Sequence, residues 1–487
     1  MTPQVSRRGF LAASATLAAT SALPRFAFAG AAPLALTATT RTIEVDGRAA
    51  TVYGLLNAAG KSGLILDPGE RFRVDLTNAL DVETLVHWHG QIPPNAQDGV
   101  PDMPMPKLRP GESRAYDFAP EAGTYWMHSH IAVQEMHMLA APLIVRSAAD
   151  VKADRQDVTM FLHDFSFKTS EEVLAEITGG AVGSDGMAGM GNTSGGMGQM
   201  SGMGNMSGMS GMSGMAMDLN DYNFDAYLAN DRTLSDPEVV RIEKGGRIRL
   251  RVVNAAAATT FWIATGALRG RLVAVDGRDV LPIAGSRFGV AMAQRLDIEL
   301  DLPAGDGSYP ILAQREGTRD RTGLILASAG AKVQKIAGLA ETEAPAFDMD
   351  LAQESRLRAA NPLAERPVDQ TEMVMLSGAM QPYVWAINGQ TWEHHIPVTA
   401  RSGQRVELTF HNMSMMAHPM HLHGHAFQVV AIGGQRFAGV LRDTVLVPPM
   451  AAVTVALDAG EAARWMLHCH HIPHMASGMM TEFAVSV

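Results

Sequence analysis

The chain has a single cysteine, Cys469, among 487 residues, so no disulfide can form within it. It lacks a basic excess: the formal net charge is −11, which gives no reason to expect nucleic-acid binding. Past the N-terminus, no apolar run is long enough to span a bilayer. Charged residues are sparse too, 18% against 47% hydrophobic, and that balance predicts a folded chain with a large core. At about 100–200 residues per domain, the length predicts two to four domains.

What is abundant is histidine, 17 residues, and methionine, 31. Both ligate copper, and the thioether favours Cu(I). The N-terminus reads as a targeting segment. Arg7-Arg8 form a twin-arginine pattern, Leu11 to Leu23 are weakly apolar, and Ala27-Phe28-Ala29 give a cleavage signal before Gly30. The apolar stretch is too short and too rich in Ala, Ser and Thr for a membrane anchor. Residues 1–29 are therefore expected to direct export and be removed.

One strand-turn unit occurs three times. Gly69 to Asn78 alternates apolar and polar residues as a half-buried strand does. The pattern G-x-R-x6-N returns at Gly245–Asn254 and Gly403–Asn412, and each copy has a glycine twelve residues after its Asn: Gly90, Gly266 and Gly424. Between Asn and Gly, the first copy holds His87 and His89, the third holds His421 and His423 at the same offsets, and the second holds Ile263 and Thr265. A later element behaves alike. His128-Ser129-His130 in the first copy corresponds to His468-Cys469-His470 in the third. A segment aligned from Gly307 to Gln314 in the second copy has no histidine. Three related β domains follow, with metal bound between the first and the third. Their expected bounds are 30–147, 148–335 and 369–487, with a linker at 336–368 rich in Ala, Glu and Pro.

In a strand, side chains i and i+2 share a face. Each H-x-H pair can thus aim two imidazoles at one place, and eight suffice for a three-copper cluster. Four pairs at repeat-matched positions are far beyond chance. His468-Cys469-His470 continues to His474 and Met479, and with His418 this supplies a thiolate, two imidazoles and a weak thioether, the ligand set of a blue-copper centre. Cys469 would face one copper while His468 and His470 face the cluster behind the strand.

These motifs, H-W-H-G, H-S-H, H-P-M-H-L-H-G and H-C-H-x3-H-x4-M, resemble those of the multicopper oxidases, which include laccases and bacterial cuprous oxidases. The resemblance covers all three domains. It implies an all-β chain of three cupredoxin-like Greek-key β-sandwich domains and four copper ions. It implies that His418, Cys469, His474 and Met479 hold a type 1 copper, and His87 and His421 a type 2 copper. A type 3 pair would sit on His89, His128, His130, His423, His468 and His470. Asp98 matches a carboxylate that helps deliver protons; as part of Asp98-Gly99 it also reads as a turn residue, and one residue can serve both roles. Met416 matches a position where cuprous oxidases hold substrate Cu(I). Two departures stand out: Ser414 replaces an aspartate of those enzymes, and Met475, after His474, replaces an acidic residue of many.

Residues 187–217 are low-complexity Gly, Ser and Met with ten methionines. The composition predicts a flexible loop in the second domain. A plain linker gains nothing from exposed thioethers, which invite oxidation; capture of Cu(I) explains them. The expected function is oxidation of Cu(I) coupled to reduction of O2 to water, in periplasmic copper tolerance, by a monomer without membrane span or nucleic-acid partner. The alternative is a laccase-like oxidase of phenols, with the tract as a cover over the substrate face. A non-catalytic copper protein would have no use for the full ligand set. His137, His163, His394, His395, His411, His425 and His471 have no repeat-matched partner and are expected to be surface or satisfied buried residues.

Overall fold

Each copy of the repeat builds the same pair of facing sheets. In the computed structural model, residues 32–180, 219–347 and 351–487 are described. The expected targeting segment 1–29 and the methionine tract 187–217 lie outside them. In the first copy, Arg48–Asn57, Leu34–Val45, Phe72–Asn78 and Ser113–Phe118 form one four-stranded sheet, and Leu64–Leu66, Ala140–Val145, Gly123–Ser129 and Val86–His89 form another. The second copy has sheets of six and five strands, the third of seven and five. The chain is all-β with cupredoxin-like domains, as the resemblance implied.

Alternation places the core. Leu36, Phe72, Val74 and Leu76 of the first sheet meet Leu66, Trp88, Tyr125, Met127 and Leu143 of the second in one apolar cluster. In the third copy Leu408, Phe410 and Val455 meet Leu422, Leu467, Cys469 and Phe483 likewise. Each copy also mixes strand directions identically. Its first strand runs parallel to the strand ending in the repeat's Asn: Leu34–Val45 with Phe72–Asn78, Gln156–Phe165 with Arg247–Asn254, and Gln370–Met380 with Arg405–Asn412. Parallel partners cannot be joined by a tight turn, so the returning strands must cross between sheets.

The recurrent asparagine has a physical reason. Asn78, Asn254 and Asn412 are fully buried. Each amide nitrogen donates to one carbonyl of the loop that follows, Val82, Thr259 or Met416, and to one from a more distant segment, Leu108, Val290 or Val447. Each amide oxygen accepts from the backbone two residues on. One side chain thereby satisfies the loop that carries the metal-facing strand.

One alignment is corrected. In the first copy His87 pairs with His128 and in the third His421 pairs with His468. In the second, Ile263 pairs with Ala313, not Leu312. The counterpart segment therefore begins at Ser308. The shared Gly-x-Tyr of Gly123 and Gly307 suggested the other register, but the ladder of backbone hydrogen bonds sets it, and a one-residue slip exchanges faces. Under either register the second copy has no histidine there.

The stretch expected as a linker is packed. Phe347, Leu351 and Leu357 are buried, and Glu354 forms an ion pair with Arg442. Among the described residues no helix is long and apolar enough to cross a membrane.

Candidate metal centre

Four short strands carry the histidine pairs: Val86–His89, Gly123–Ser129, His418–Leu422 and Arg464–Cys469. The first two pair with each other, as do the last two. The two pairs of strands then face across the seam between the first and third sandwiches, so residues 342 positions apart touch: His470 Nε2 lies 3.4 Å from His128 Nε2. All eight imidazoles are buried.

Their nitrogens are sorted by what holds the far side of each ring. The Nδ1 atoms of His87, His128, His421 and His468 lie 2.7–3.0 Å from the carbonyls of Asp98, Ser129, Asp443 and Cys469. Nδ1 of His423 lies 2.8 Å from Asp98 Oδ2. Five Nε2 atoms are therefore free to converge, and a ring nitrogen held from behind is how proteins orient metal-binding histidine. His89 is reversed. Its Nε2 rests 3.1 Å from Asp443 Oδ1 and from Thr444 Oγ1, leaving Nδ1 to face His128 Nε2 at 3.3 Å. His89 Nδ1 and His470 Nε2 both approach His128 Nε2, at 3.3 and 3.4 Å. His130, His423 and His468 form another group, with the Nε2 atoms of His423 and His468 3.2 Å apart. His87 lies within reach of His89 and His128 and also of His421 and His423, and His87 and His421 each have a buried Nε2 without a hydrogen-bond partner among the described residues.

Burial, reinforced by neighbouring imidazoles, holds His89, His128, His130, His423, His468 and His470 well below the ordinary histidine range. They are therefore neutral, the form that binds metal. Neutral imidazole nitrogens crowded face to face, without protons to share, fit copper ions between them.

A second cluster lies on the other face of Arg464–Cys469. Cys469 Sγ is 3.7 Å from Nδ1 of both His418 and His474, and those nitrogens are 3.1 Å apart. Met479 is fully buried beside them, its carbonyl accepting from the Cys469 amide at 3.1 Å. Burial pushes the Cys469 thiol far above its usual range, so a thiolate here requires a bound cation. Ser414 Oγ lies 2.7 Å from His418 Nε2; the residue that departs from the cuprous-oxidase pattern still fixes the ring.

The first sandwich contains the same arrangement without chemistry. By the repeat, Thr84, Ser129, Gln134 and Leu139 stand where the third copy has His418, Cys469, His474 and Met479. Thr84 Oγ1 and Ser129 Oγ donate to Gln134 Oε1 at 2.7 and 2.8 Å, so hydrogen bonds close the space that the other copy leaves to a thiol and two imidazoles.

Asp98 is both a turn residue and a neighbour of the histidine cluster. It ends the short helical turn Asn95–Gln97, and its carboxylate reaches His423. Gly99 follows at φ +87°, where a Cβ would strike the Val86 carbonyl. Met416 is buried, with its carbonyl bound by Asn412, while Met413 and Met415 are exposed and Met420 lies in the core opposite Cys469.

Sequence reasoning missed three carboxylates. Asp443 touches His89 and His421 at 3.1 and 3.6 Å and is held well below the carboxylate range by Arg295 against the cost of burial. Arg295, fully buried in the second sandwich, forms a two-toothed ion pair with it. The domain without ligands thus braces those that have them. Glu135 Oε2 lies 2.9 Å from His128 Nδ1, and Oε1 lies 3.7 Å from His470 Nδ1. A signal was present here: Glu135 is seven residues past His128 and Met475 seven past His468, so the first copy supplies the acid that the third lacks. Asp221, four residues past the methionine tract, lies 3.5 Å from His474 Nε2 and accepts from Tyr383 Oη. Nothing local marks it. His471, set aside from sequence, is buried, and its Nδ1 has no partner among the described residues.

Three family models, each described as multicopper oxidase, match residues 37–150, 198–334 and 365–487. The chain is 29% identical to Multicopper oxidase MmcO of Mycobacterium tuberculosis over 85% of this chain and 79% of that one. It is 24% identical to Copper resistance protein A of Escherichia coli over 86% of each. It is 25% identical to Laccase-2 of Trametes versicolor over 86% of this chain and 83% of that one. Among solved structures, the multi-copper oxidase from Pseudomonas thermotolerans superposes with a TM-score of 0.69 at 23% identity, covering 93% of this chain and 98% of the other. The laccase from Botrytis aclada gives 0.72 at 19% identity over 92% and 87%.

Proposed function

The chain belongs to the multicopper oxidase family, and from that premise we propose that it couples one-electron oxidation of Cu(I) to reduction of O2 to water, after export by the twin-arginine route to the periplasm. In this reading His418, Cys469, His474 and Met479 hold a type 1 copper. His87 and His421 hold a type 2 copper. His89, His128 and His470 hold one type 3 ion, and His130, His423 and His468 the other. When bound, the four coppers supply single-electron uptake at the thiolate centre and four-electron delivery to O2 at the cluster. The observation that carries the reading is the continuity of Arg464–Cys469: Cys469 lies in one cluster and its neighbours His468 and His470 in the other.

The chain's own residues do the rest. Carbonyls and Asp98 hold five rings by Nδ1, and Asp443 and Thr444 hold His89 by Nε2, so no ring must turn as electrons arrive. The apolar shell of Val100, Met103, Ala132, Met466, Ile472 and Met475 beside the seam excludes bulk water. Asp98, hydrogen-bonded to His423, is placed to hold a proton beside the cluster. Asp98→Asn is expected to lower O2 reduction about a hundredfold, within the usual reach of a positioned acid or base. Anaerobic bleaching of the blue centre by a reductant would proceed at the wild-type rate. Unchanged O2 uptake in this variant would remove Asp98 from the mechanism.

Cu(I) is favoured over phenols as substrate because His418 and His474 are both fully buried. A bulky ring has no exposed imidazole edge to approach, whereas thioethers of Met416 and of residues 187–217 can pass a small soft ion inward. Steady-state oxidation of Cu(I) and of a phenol, side by side, tests this. Deleting residues 187–217 is expected to abolish Cu(I) oxidation while phenol oxidation persists or rises, and Met416→Ala to lower kcat/KM for Cu(I) by about tenfold, the lower end for a lost supporting ligand. Full Cu(I) oxidation by both variants would return the phenol reading to first place.

A further inference from the structure

The two sheets of the third sandwich differ in what they carry. The strands with the metal-facing histidines, His418–Leu422 and Arg464–Cys469, belong to the five-stranded sheet. In the seven-stranded sheet Gln370–Met380 runs parallel to Arg405–Asn412, with Val374 opposite Phe410 and Leu376 opposite Asn412. Those four are buried. The residues between them point outward, because successive side chains of a strand take opposite faces. Met373 lies opposite Thr409 and Met375 opposite His411. Met373 and Met375 are 53% and 39% exposed, and His411 is exposed too. The Met413 amide donates to the Leu376 carbonyl at 2.8 Å and so extends the ladder by one residue. Met413, two residues past His411, is exposed as well.

This is an unusual exterior. Every exposed methionine among the described residues, Met373, Met375, Met413, Met415 and Met450, falls in the third sandwich. Methionine is not among the residues that favour strands, and an exposed thioether invites oxidation. Neighbouring strands lie about 4.8 Å apart, and residues i and i+2 about 7 Å apart. The Met375 thioether and the His411 imidazole therefore start side by side. Met373 and Met413 flank them, one from each strand, on side chains with three rotatable bonds. On its other side His411 faces Ala452, which is too small to cover the ring. Glu407, further along the same face, is already paired with Arg436.

We propose that this outer face holds a soft monovalent ion, Cu(I) or Ag(I), on Met373, Met375, His411 and Met413. Thioether and imidazole donors suit Cu(I), whereas hard divalent cations need oxygen ligands that this set does not offer. The apolar core, with Val374, Leu376 and Phe410, stands between this face and Cys469. The site therefore takes up the ion without oxidising it, and it stands whichever donor the enzyme oxidises.

Ag(I), a redox-silent soft ion, tests the site in the copper-loaded enzyme. Crystals soaked in Ag(I) are expected to show an anomalous peak within bonding distance of the Met375 sulfur and a His411 ring nitrogen, absent in Met375→Leu. In solution, Ag(I) is expected to slow peroxide oxidation of Met373 and Met375, read as sulfoxide by peptide mass spectrometry. Losing the imidazole in His411→Ala is expected to raise the Ag(I) concentration needed for that protection about tenfold or more, as for lost metal-supporting groups. His411 is exposed and outside the metal centre, so blue absorbance and copper content in that variant stay at wild-type values. No silver on this face, or equal protection in wild type and His411→Ala, overturns the site. Silver bound here in an enzyme that oxidises no Cu(I) keeps the site and overturns only the function proposed above.

Discussion

Cys469→Ser is expected to give a folded protein that carries one copper fewer per chain, shows no blue absorption and passes no electrons from any donor to O2. Serine is nearly isosteric with cysteine, and Cys469 sits in a closely packed strand opposite Met420, its amide donating to the Met479 carbonyl on the other side, so packing is preserved. The hydroxyl does not supply the soft thiolate on which a blue-copper centre depends. The chain already contains this experiment. Ser129 occupies the matching position in the first copy, where with Thr84 and Gln134 it forms a closed hydrogen-bonded set. His468 and His470 point away from the substituted side chain, so the near-ultraviolet absorption of paired coppers is expected to remain. Absorption spectra, copper analysis and oxygen uptake check all three points. A blue band in Cys469→Ser would show that the thiolate centre had been assigned to the wrong residue.

Arg295→Leu is the substitution expected to cost most in stability. Arg295 is fully buried, bound to both oxygens of Asp443 and to the Ala293 carbonyl, with Asp276 3.7 Å away. Removing it leaves Asp443 charged and buried, a loss of about 3–5 kcal/mol for a broken buried pair. Gly90 belongs to the same argument, because a Cβ there would collide with the Arg295 guanidinium and the Asp443 carboxylate. Asp443 supports His89 and His421, so copper at the cluster should fall as well. The pH dependence has a definite sign. Arg295 depresses the folded-state pKa of Asp443, so its stabilising effect is complete above the unfolded carboxylate pKa of about 4 and is lost as pH falls below it. The gap between wild type and Arg295→Leu is accordingly widest near neutral pH and narrows in acid. Denaturant unfolding at several pH values measures it, and equal midpoints for the two proteins at neutral pH would contradict the bracing role of the second domain.

Much of the metal centre was legible before any coordinates, and for a local reason. A strand puts residues i and i+2 on one face, so H-x-H spacing alone aims two rings together. Repetition of G-x-R-x6-N then related His87 to His421 and His128 to His468 without knowledge of the fold. The same comparison contained Glu135, opposite Met475, and the silent set at Thr84, Ser129 and Gln134; those were readable in principle. The alignment of the second copy failed by one residue, since a Gly-x-Tyr likeness is local whereas strand register is decided by pairing with Phe261–Ala264.

Which residues can bind copper was determined by the amino-acid sequence itself, because ligand chemistry and strand periodicity act over a few residues. Which carboxylates stand behind them was decided only by tertiary structure: Asp443 under Arg295, Asp221 beside His474. Those contacts join distant segments through burial, where loss of water makes each charge answer to whatever the fold sets beside it, and no short-range pattern in the chain records that neighbour.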